Sequence, residues 1–436
     1  MVFGRAGGLD GGLRVRIRRG YTWLMPRNSM DSPILDKSVD RPVPDKPAEI
    51  PTGRMSSPTS TTPSPGDTSA IPAAVALQAA IADLYPASLA SHDLSAWIPD
   101  HHTALGVDCD RYRDRLAQRM HQALVAPVRH LVDAGGQNWR PLLIAEAAEV
   151  MGHDSARIAP LLAAFELTHV GSLIVDDIQD DSPLRRGRPA AHIVYGLPSA
   201  LNAGTAAYFV MDRAIRGCVP GQPSLQARLT AIHLRALHAG HVGQALDLQG
   251  HADEMDRGLA DGDSAGILEA VRTVHRLKSG EPVARAFEMI ATLYGADPSL
   301  TEALTAFGSA VGTAYQITDD TGDLTGVHRR GSAVKRARED LTQGKVTMPL
   351  AHASRLLPPE QARALWESVR TPPVPAPAVA AAARLILDCG AADACRTEAD
   401  QLLDQAWQKL FPLLPADRAE RLIDRARKIV HRERLA

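Results

Sequence analysis

From Ile71 onward apolar residues recur three and four positions apart in long alanine- and leucine-rich stretches, with few alternating β-branched runs and no strand-helix alternation. That pattern predicts helices almost throughout and an all-α fold. The segment PSLTEALTAFGSAVGTAYQITDD (298–320) illustrates it: Leu304, Val311 and Tyr315 supply an apolar face, and Ser299 followed by Glu302 predicts a capping box. The proline-rich TPPVPAPAV at 371–379 interrupts the helices and predicts a helical hairpin beyond it. No internal repeat of fixed period is visible. No run of about 18 apolar residues stands out, so a membrane span is not expected.

The first 70 residues break the pattern. Arg5, Arg14, Arg16, Arg18, Arg19 and Arg27 crowd the start without an apolar segment long enough for a secretory signal. PTGRMSSPTSTTPSPGDTS (51–69) follows, too polar and proline-rich to offset its ordering entropy by burial. Residues 1–70 are therefore expected to be a disordered N-terminal extension and 71–436 a single helical domain. A translation start placed too far upstream is equally compatible with that stretch.

Composition narrows the classes. The 436 residues are 45% apolar and 22% charged with a formal net charge of -2, so a globular core is within reach and charge alone points to no nucleic-acid partner. Aromatics make up only 4%, so packing must rest on small and aliphatic side chains at close helix contacts. The four cysteines form no CxxC pair and no zinc-like spacing, and a reducing cytoplasm is the simplest reading.

The candidate chemistry is acidic. VDDIQDDSPLRRG (175–187) places Asp176, Asp177, Asp180 and Asp181 before Arg185 and Arg186, and YQITDDTGD repeats the DDxxD spacing with Asp319, Asp320 and Asp323. On a helix Asp176 and Asp180 lie one turn apart and can share a cation. Aspartates at a helix C-terminus oppose the macrodipole, so something positive must compensate them. Either cluster alone reads as a solvated helix end. Two of them, each closing an apolar helix, point to a hard divalent ion such as Mg²⁺, whose shell is completed by substrate phosphates. No Ser-His-Asp or Cys-His arrangement has convincing order.

The segment SLIVDDIQDDSPLRRGRPAAHIVYGLPSALN, with GGQNWRP (135–141) before it and GHVGQALDL (240–248), LKSG (277–280), YQITDDTGD and EDLTQGKVTMPLAHA (339–353) following in order, resembles the trans-isoprenyl diphosphate synthases (polyprenyl synthetases), most of all the eukaryotic-type geranylgeranyl diphosphate synthases. The likeness spans residues 125 to 355. It implies the isoprenoid synthase helical bundle with a central cavity, a homodimer, and condensation of isopentenyl diphosphate with an allylic prenyl diphosphate. Carried over, it implies Asp176 and Asp180 as Mg²⁺ ligands on one wall with Asp319 opposite, and Asp177, Asp320 and Asp323 completing the acidic groups. Arg185, Lys278 and Lys345 would clamp the allylic diphosphate, with Ser279 and Gln316 nearby. Arg140, His169 and Arg186 would hold the diphosphate of isopentenyl diphosphate. The alternatives for single residues stay open: Arg185 and Arg186 as surface ion pairs, His169 as a core histidine, Lys345 as a loop lysine.

One departure stands out. Where the family pattern is Gly-Gly-Lys-x-x-Arg-Pro, this chain has Gln137, which can donate a hydrogen bond but brings no charge. That keeps open a class I terpene cyclase acting on a prenyl diphosphate alone, and, against both intact acidic motifs, a noncatalytic subunit. Gly171 and Ser172, one turn before Asp176, leave room for a chain beyond fifteen carbons. Tyr208, Phe209 and His241 resemble residues that floor the cavity, so the expected product is the twenty-carbon geranylgeranyl diphosphate; a Tyr-Phe pair on an apolar helix also reads as plain core.

Overall fold

The computed structural model describes residues 70–98, 110–325 and 338–432, with short paired segments at 15–16, 22–23, 328–329 and 332–333. The expected disorder of residues 1–70 lies outside the described residues, except where β1 (Val15–Arg16) pairs antiparallel with β2 (Thr22–Trp23). From Ala70 on the described chain is helical apart from two hairpins, β3 (Leu184–Arg185) with β4 (Arg188–Pro189) and β5 (His328–Arg329) with β6 (Ser332–Ala333).

The helices that frame the site are α1 (Ala70–Leu84), α2 (Trp139–Val150), α3 (Ala159–Gln179), α4 (Leu197–Ala206), α5 (Pro223–Gln249) and α6 (Ser264–His275). They are followed by α7 (Glu281–Leu293), α8 (Pro298–Thr325), α9 (Met348–Leu356), α10 (Ala376–Asp388), α11 (Ala391–Leu410) and α12 (Ala416–Val430). α3 centres one half of the bundle, against α1, α2 and α4, and buries Leu167, Val170 and Ile174 at helical spacing. α8 centres the other half, packed on α7, α11 and α12.

Scarce aromatics leave the helix contacts to small residues, as the composition implies. A Cβ on Gly171 would lie 2.5 Å from the carbonyl oxygen of Gly204 on α4 and 2.8 Å from the Ala207 Cβ. The absent side chain at Gly171 is thus accounted for by close backbone contact between α3 and α4. The same principle shapes the junction of α6 and α7, where Arg276–Gly280 widens into a π turn. A Cβ on Gly243 of α5 would meet the Lys278 backbone nitrogen at 2.5 Å, and one on Gly312 of α8 would meet the Ser279 carbonyl at 2.3 Å. Two helices press on this turn because neither carries a side chain there.

Three local expectations are corrected. α8 starts at Pro298, and Asp297 rather than Ser299 caps it: its carboxylate accepts the Ser299 N–H at 2.9 Å and the Ser299 hydroxyl at 2.7 Å. Proline at the first helical position presets that start. Beyond the proline-rich break stand three helices, α10 to α12, because Gly390, with φ +81°, and Pro415 each end a run that reads as continuous. The stretch Ser155–Gln179 does reach the length and hydropathy of a membrane span, with mean hydropathy 1.7; 61% of that window is buried in the bundle, so its apolar character is that of a central core helix.

The C-terminal helices are tied to the bundle by Glu398 of α11, which accepts from Arg272 Nε of α6 at 2.7 Å and pairs with His352 Nε2 of α9 at 2.9 Å. Burial raises its pKa, but the bonds from His352 and Arg272 outweigh that and hold it at about 2, below the ordinary 4.5. A depressed carboxyl contributes stability above its unfolded pKa and loses it as pH falls toward the folded value. Glu398→Gln should therefore lower the unfolding free energy at neutral pH by about 2 kcal/mol. In urea titrations its stability should fall less than that of the wild type between pH 4.5 and 2; equal acid slopes would sink this account. Gly171→Ala should cost about 1–3 kcal/mol by overpacking, seen as a lower melting temperature, with the product length unchanged.

Candidate active site

α3 ends at Gln179, and Asp180 is its C-cap, its N–H donating to the Asp176 carbonyl at 2.9 Å. The two acids stand one turn apart at the negative end of an apolar helix, as their spacing implies, and the compensating charge comes from three other elements. Lys278 in the π turn places Nζ 3.1 Å from Asp176 and 2.9 Å from Asp247 of α5. Lys345, between α8 and α9, lies 3.0 Å from Asp180. Arg185 arrives on the β3–β4 hairpin, whose turn residues Arg186 and Gly187 have φ +53° and +75°, as a tight two-residue hairpin requires. Its Nε donates to Asp177 at 2.6 Å and its Nη2 to Asp176 at 3.4 Å.

Environment separates these carboxyls. Burial works to raise Asp176, but Lys278 and Arg185 outweigh it and hold it at about 2. Asp177 is fully buried, one of its oxygens has no hydrogen-bond partner, and burial prevails over Arg185 to push it up to about 6. Gln244 of α5 completes the corner, donating to Asp176 at 3.1 Å and to Gln179 at 2.8 Å.

On α8 the three acids also divide. The Asp319 side chain is 43% exposed. Asp320 is buried and fully engaged: it accepts the Met348 N–H at the start of α9 at 3.0 Å and Gln316 Nε2 at 3.3 Å, and it pairs with His275 Nε2 at 3.1 Å. Burial raises it, and His275 more than compensates, leaving its pKa lowered. Ser279 donates to Gln316 at 2.7 Å, so Ser279 and Gln316 belong to the chain of bonds that orients Asp320. Asp323 is buried and accepts the Glu339 N–H at 3.3 Å, while Glu339 receives the Ser182 hydroxyl at 3.3 Å. That bridge ties the end of α8 to the segment leaving α3. Asp177, Asp320 and Asp323 thus support the structure, and Asp176, Asp180 and Asp319 remain reachable.

A second cluster forms at the start of α2. Arg140 stacks on Trp139 at 4.3 Å and near Tyr315 at 5.7 Å, with its Nη1 3.0 Å from His169 Nε2. Arginine has no acceptor, so His169 accepts and is neutral. Burial and the neighbouring Arg140, Arg186 and Arg185 hold its pKa well below the ordinary value, in agreement. Arg186 donates to Glu166 at 3.1 Å and to the Leu131 carbonyl at 2.9 Å. Gly135, Gly136, Asn138 and Glu166 line a cavity of about 410 Å³, and Gln137 is exposed.

The chain-length residues do not stay together. Tyr208 is buried with the His241 ring edge-on at 5.6 Å, and its phenol is pushed up to about 12 by burial and then by Asp176. Phe209 is 75% exposed, because successive residues of a tight 3₁₀ turn point to different sides, so it does not floor a cavity within this chain. Ser172 is exposed, its hydroxyl donating to the His169 carbonyl at 2.8 Å. Sequence reasoning missed Gln244, Asp247, Glu166, His275 and Arg432. Gln244 and Asp247 sit within GHVGQALDL, and Glu166 stands one turn before His169; these were findable by helical spacing. Arg432, which bonds Asp319 from beyond α12, carries no local signal.

Asp176, Asp180 and Asp319 offer oxygen only, and each already holds an ammonium or guanidinium where a metal cation would sit. Among the described residues no three metal-ligating side chains converge into a closed cage. The all-oxygen donor set fits a hard divalent ion, which takes the rest of its shell from water and phosphate.

The site is thus an all-helical bundle with acids closing two helices, cations upon them and a second cationic cluster around Arg140 and Arg186. The polyprenyl synthetase family matches residues 121–386, and the chain belongs to that family. A short chain isoprenyl diphosphate synthase of Methanothermobacter thermautotrophicus is 31% identical over 245 residues, 56% of this chain and 71% of the relative. A geranylgeranyl pyrophosphate synthase of Geoglobus acetivorans is 26% identical over 328 residues, 74% and 95% of the two chains. A polyprenyl synthase from Caulobacter crescentus CB15, solved with calcium and isoprenyl diphosphate, superimposes with TM-score 0.62 at 25% identity, covering 84% of this chain and 98% of that one. The chain has the isoprenoid synthase fold and is a prenyltransferase of a divalent-metal-dependent family; the cyclase alternative finds no support.

Asp176→Ala or Asp319→Ala should abolish turnover with little loss of fold, since Lys278 keeps Asp247 as partner. Circular dichroism with a product assay checks this. Near wild-type activity in either variant, or activity undiminished by excess EDTA, contradicts the metal assignment.

Proposed function

We propose that the chain condenses isopentenyl diphosphate with an allylic prenyl diphosphate to give geranylgeranyl diphosphate, with Mg²⁺ as its metal. One arrangement supports the reading: besides the cations on Asp176 and Asp180, a second cluster brings together Arg140, neutral His169 and Arg186. A reaction with one diphosphate needs no second site. Asp176, Asp180 and Asp319 would hold the Mg²⁺, which when bound neutralises the diphosphate and eases its departure.

The chain's own residues do the rest. Lys278, Lys345 and Arg185 exchange carboxylate for diphosphate oxygens, so the positive charge that stabilises the leaving group is in place before the allylic C–O bond ionises. Arg140, braced on Trp139 and aligned by His169, orients isopentenyl diphosphate so that its alkene faces the cation. Loss of a proton from the adduct to the departing diphosphate completes the extension. Tyr208, buried with the His241 ring edge-on at 5.6 Å, would close the cavity at a twenty-carbon limit. Residues 71–436 form the catalytic domain in this reading, and the setting is cytoplasmic. A second copy of the chain is the partner, supported by the exposed Ile193, Val194, Leu197 and Phe209 on neighbouring elements.

The deciding experiment incubates purified protein with Mg²⁺ and farnesyl diphosphate, with and without isopentenyl diphosphate. A C20 diphosphate formed only with both is expected; a hydrocarbon from farnesyl diphosphate alone overturns the reading. Gln137→Lys should lower the KM for isopentenyl diphosphate by the equivalent of about 1–2 kcal/mol, the gap between a neutral and a charged hydrogen bond. The KM for the allylic substrate should barely move.

A further inference from the structure

Asp323 and Asp320 accept the N–H groups of Glu339 and Met348, and between those two fixed points runs the turn that carries Lys345. Two of its side chains reach one aspartate: Lys345 Nζ lies 3.0 Å from the Asp180 carboxylate, and Gln343 Nε2 donates to the Asp180 carbonyl at 3.3 Å. The helix leading into the turn, Glu339–Thr342, is four residues long, too short to hold itself. The segment 369–374 backs it instead. Val374 N–H donates to the Thr342 carbonyl at 3.1 Å. Gly344, with φ +66°, comes so near that a Cβ there would lie 2.9 Å from the Val369 carbonyl oxygen and 3.3 Å from Pro372 Cδ.

The backing segment leaves the helix Pro359–Val369 and has no helical ladder of its own before α10 begins at Ala376. Its place is set by Asp256, on the helix Ala252–Asp261. One carboxylate oxygen of Asp256 accepts Trp366 Nε1 at 2.6 Å and the other accepts Arg370 Nη2 at 2.7 Å. Trp366 is buried, and Arg370 is the C-cap of that helix, so both donors sit where it ends against Gly344. The helix Ala252–Asp261 follows α5 after Gly250 and His251. The element whose Gln244 and Asp247 set Asp176 and Lys278 therefore leads on to the carboxylate that backs Lys345. We propose that Asp256, which lies in none of the motifs, is a positioning residue for the allylic diphosphate: by fixing Trp366 and Arg370 it holds the 369–374 segment on Gly344 and keeps the Lys345 ammonium at Asp180. This rests on Lys345 clamping that diphosphate in the reaction proposed above.

The test is a double-mutant cycle on ligand binding. Farnesyl diphosphate with Mg²⁺ is titrated calorimetrically, without isopentenyl diphosphate, into wild type, Asp256→Ala, Lys345→Gln and Asp256→Ala with Lys345→Gln, and each melting temperature is measured. Asp256→Ala and Lys345→Gln should each weaken binding about tenfold, as for loss of a partner that orients a ligand-holding side chain. The double variant should bind no more weakly than Lys345→Gln, because a residue acting through Lys345 then has nothing left to act on. The KM for isopentenyl diphosphate in Asp256→Ala should barely move. The same cycle with Arg370→Gln, whose side chain is partly exposed, decides the matter if Asp256→Ala does not fold. An Asp256→Ala protein that binds farnesyl diphosphate like wild type overturns the proposal whatever its melting temperature. So does a double variant whose loss is the product of the two single losses, which makes Asp256 a support of the fold alone. Weakened binding in Lys345→Gln without weakening in Asp256→Ala refutes Asp256 by itself. A Lys345→Gln protein that matches wild type refutes the clamp role of Lys345, and this assignment with it.

Discussion

The Lys278 ammonium between Asp176 and Asp247 is the interaction on which the site depends. Carboxylates at the closing turn of an apolar helix face the negative end of its dipole, so α3 can end inside the bundle only if fixed positive charge meets it. Burial works to lower the pKa of Lys278, but Asp176 and Asp247 outweigh it and raise the pKa above the ordinary value. Removing one partner of a buried pair is costly, yet exchanging one anion for another is not. A cation held by two carboxylates can pass from one of them to a phosphate oxygen without being stranded. In the proposed reaction, the contacts that hold the site together are the ones the ligands would take over.

Backbone geometry decides where those cations stand. The π turn at 276–280 lets Lys278 lie between α3 and α5, and its closeness to α5 and α8 exists because Gly243 and Gly312 leave room. The β3–β4 hairpin sends Arg185 toward Asp176 and Asp177 and Arg186 toward Glu166, two successive residues serving two sites. The six motif acids split accordingly. Asp320 and Asp323 spend their oxygens on the backbone N–H groups that start α9 and the segment before it, which fixes the loop bearing Lys345.

What was legible in the sequence was local. Helices follow from apolar spacing, and Asp176 with Asp180 follows from one helical turn, so the all-α fold and the reachable acids could be read directly. What was illegible depends on tertiary contact. Asp247 looks like any helical aspartate until Lys278 is placed beside it, and Arg432 and Asp319 are 113 residues apart. Gly171 reads as open space from its sequence neighbours, whereas the space belongs to Gly204. Tyr208 and Phe209 read as a pair, and the 3₁₀ turn separates them. DDxxD spacing also cannot tell a carboxylate that binds a ligand from one that caps a neighbouring helix; only burial and donors make that distinction.

The two cationic clusters differ in how their charge is kept. Lys278, Lys345 and Arg185 each rest on a carboxylate and must change partner to hold a ligand. Arg140 rests on the faces of Trp139 and Tyr315 and on a neutral histidine. An aromatic face supports a guanidinium without consuming its charge, so Arg140 needs no exchange before it meets an anion. Burial lowers its pKa, with the Tyr315, Glu166 and Asp319 charges acting against that; an arginine remains protonated under such a shift where a lysine would be far more exposed to losing its proton. In the proposed reaction the acidic wall would take a diphosphate only together with cations that satisfy the released carboxylates, while Arg140 would meet one without first giving up a carboxylate partner.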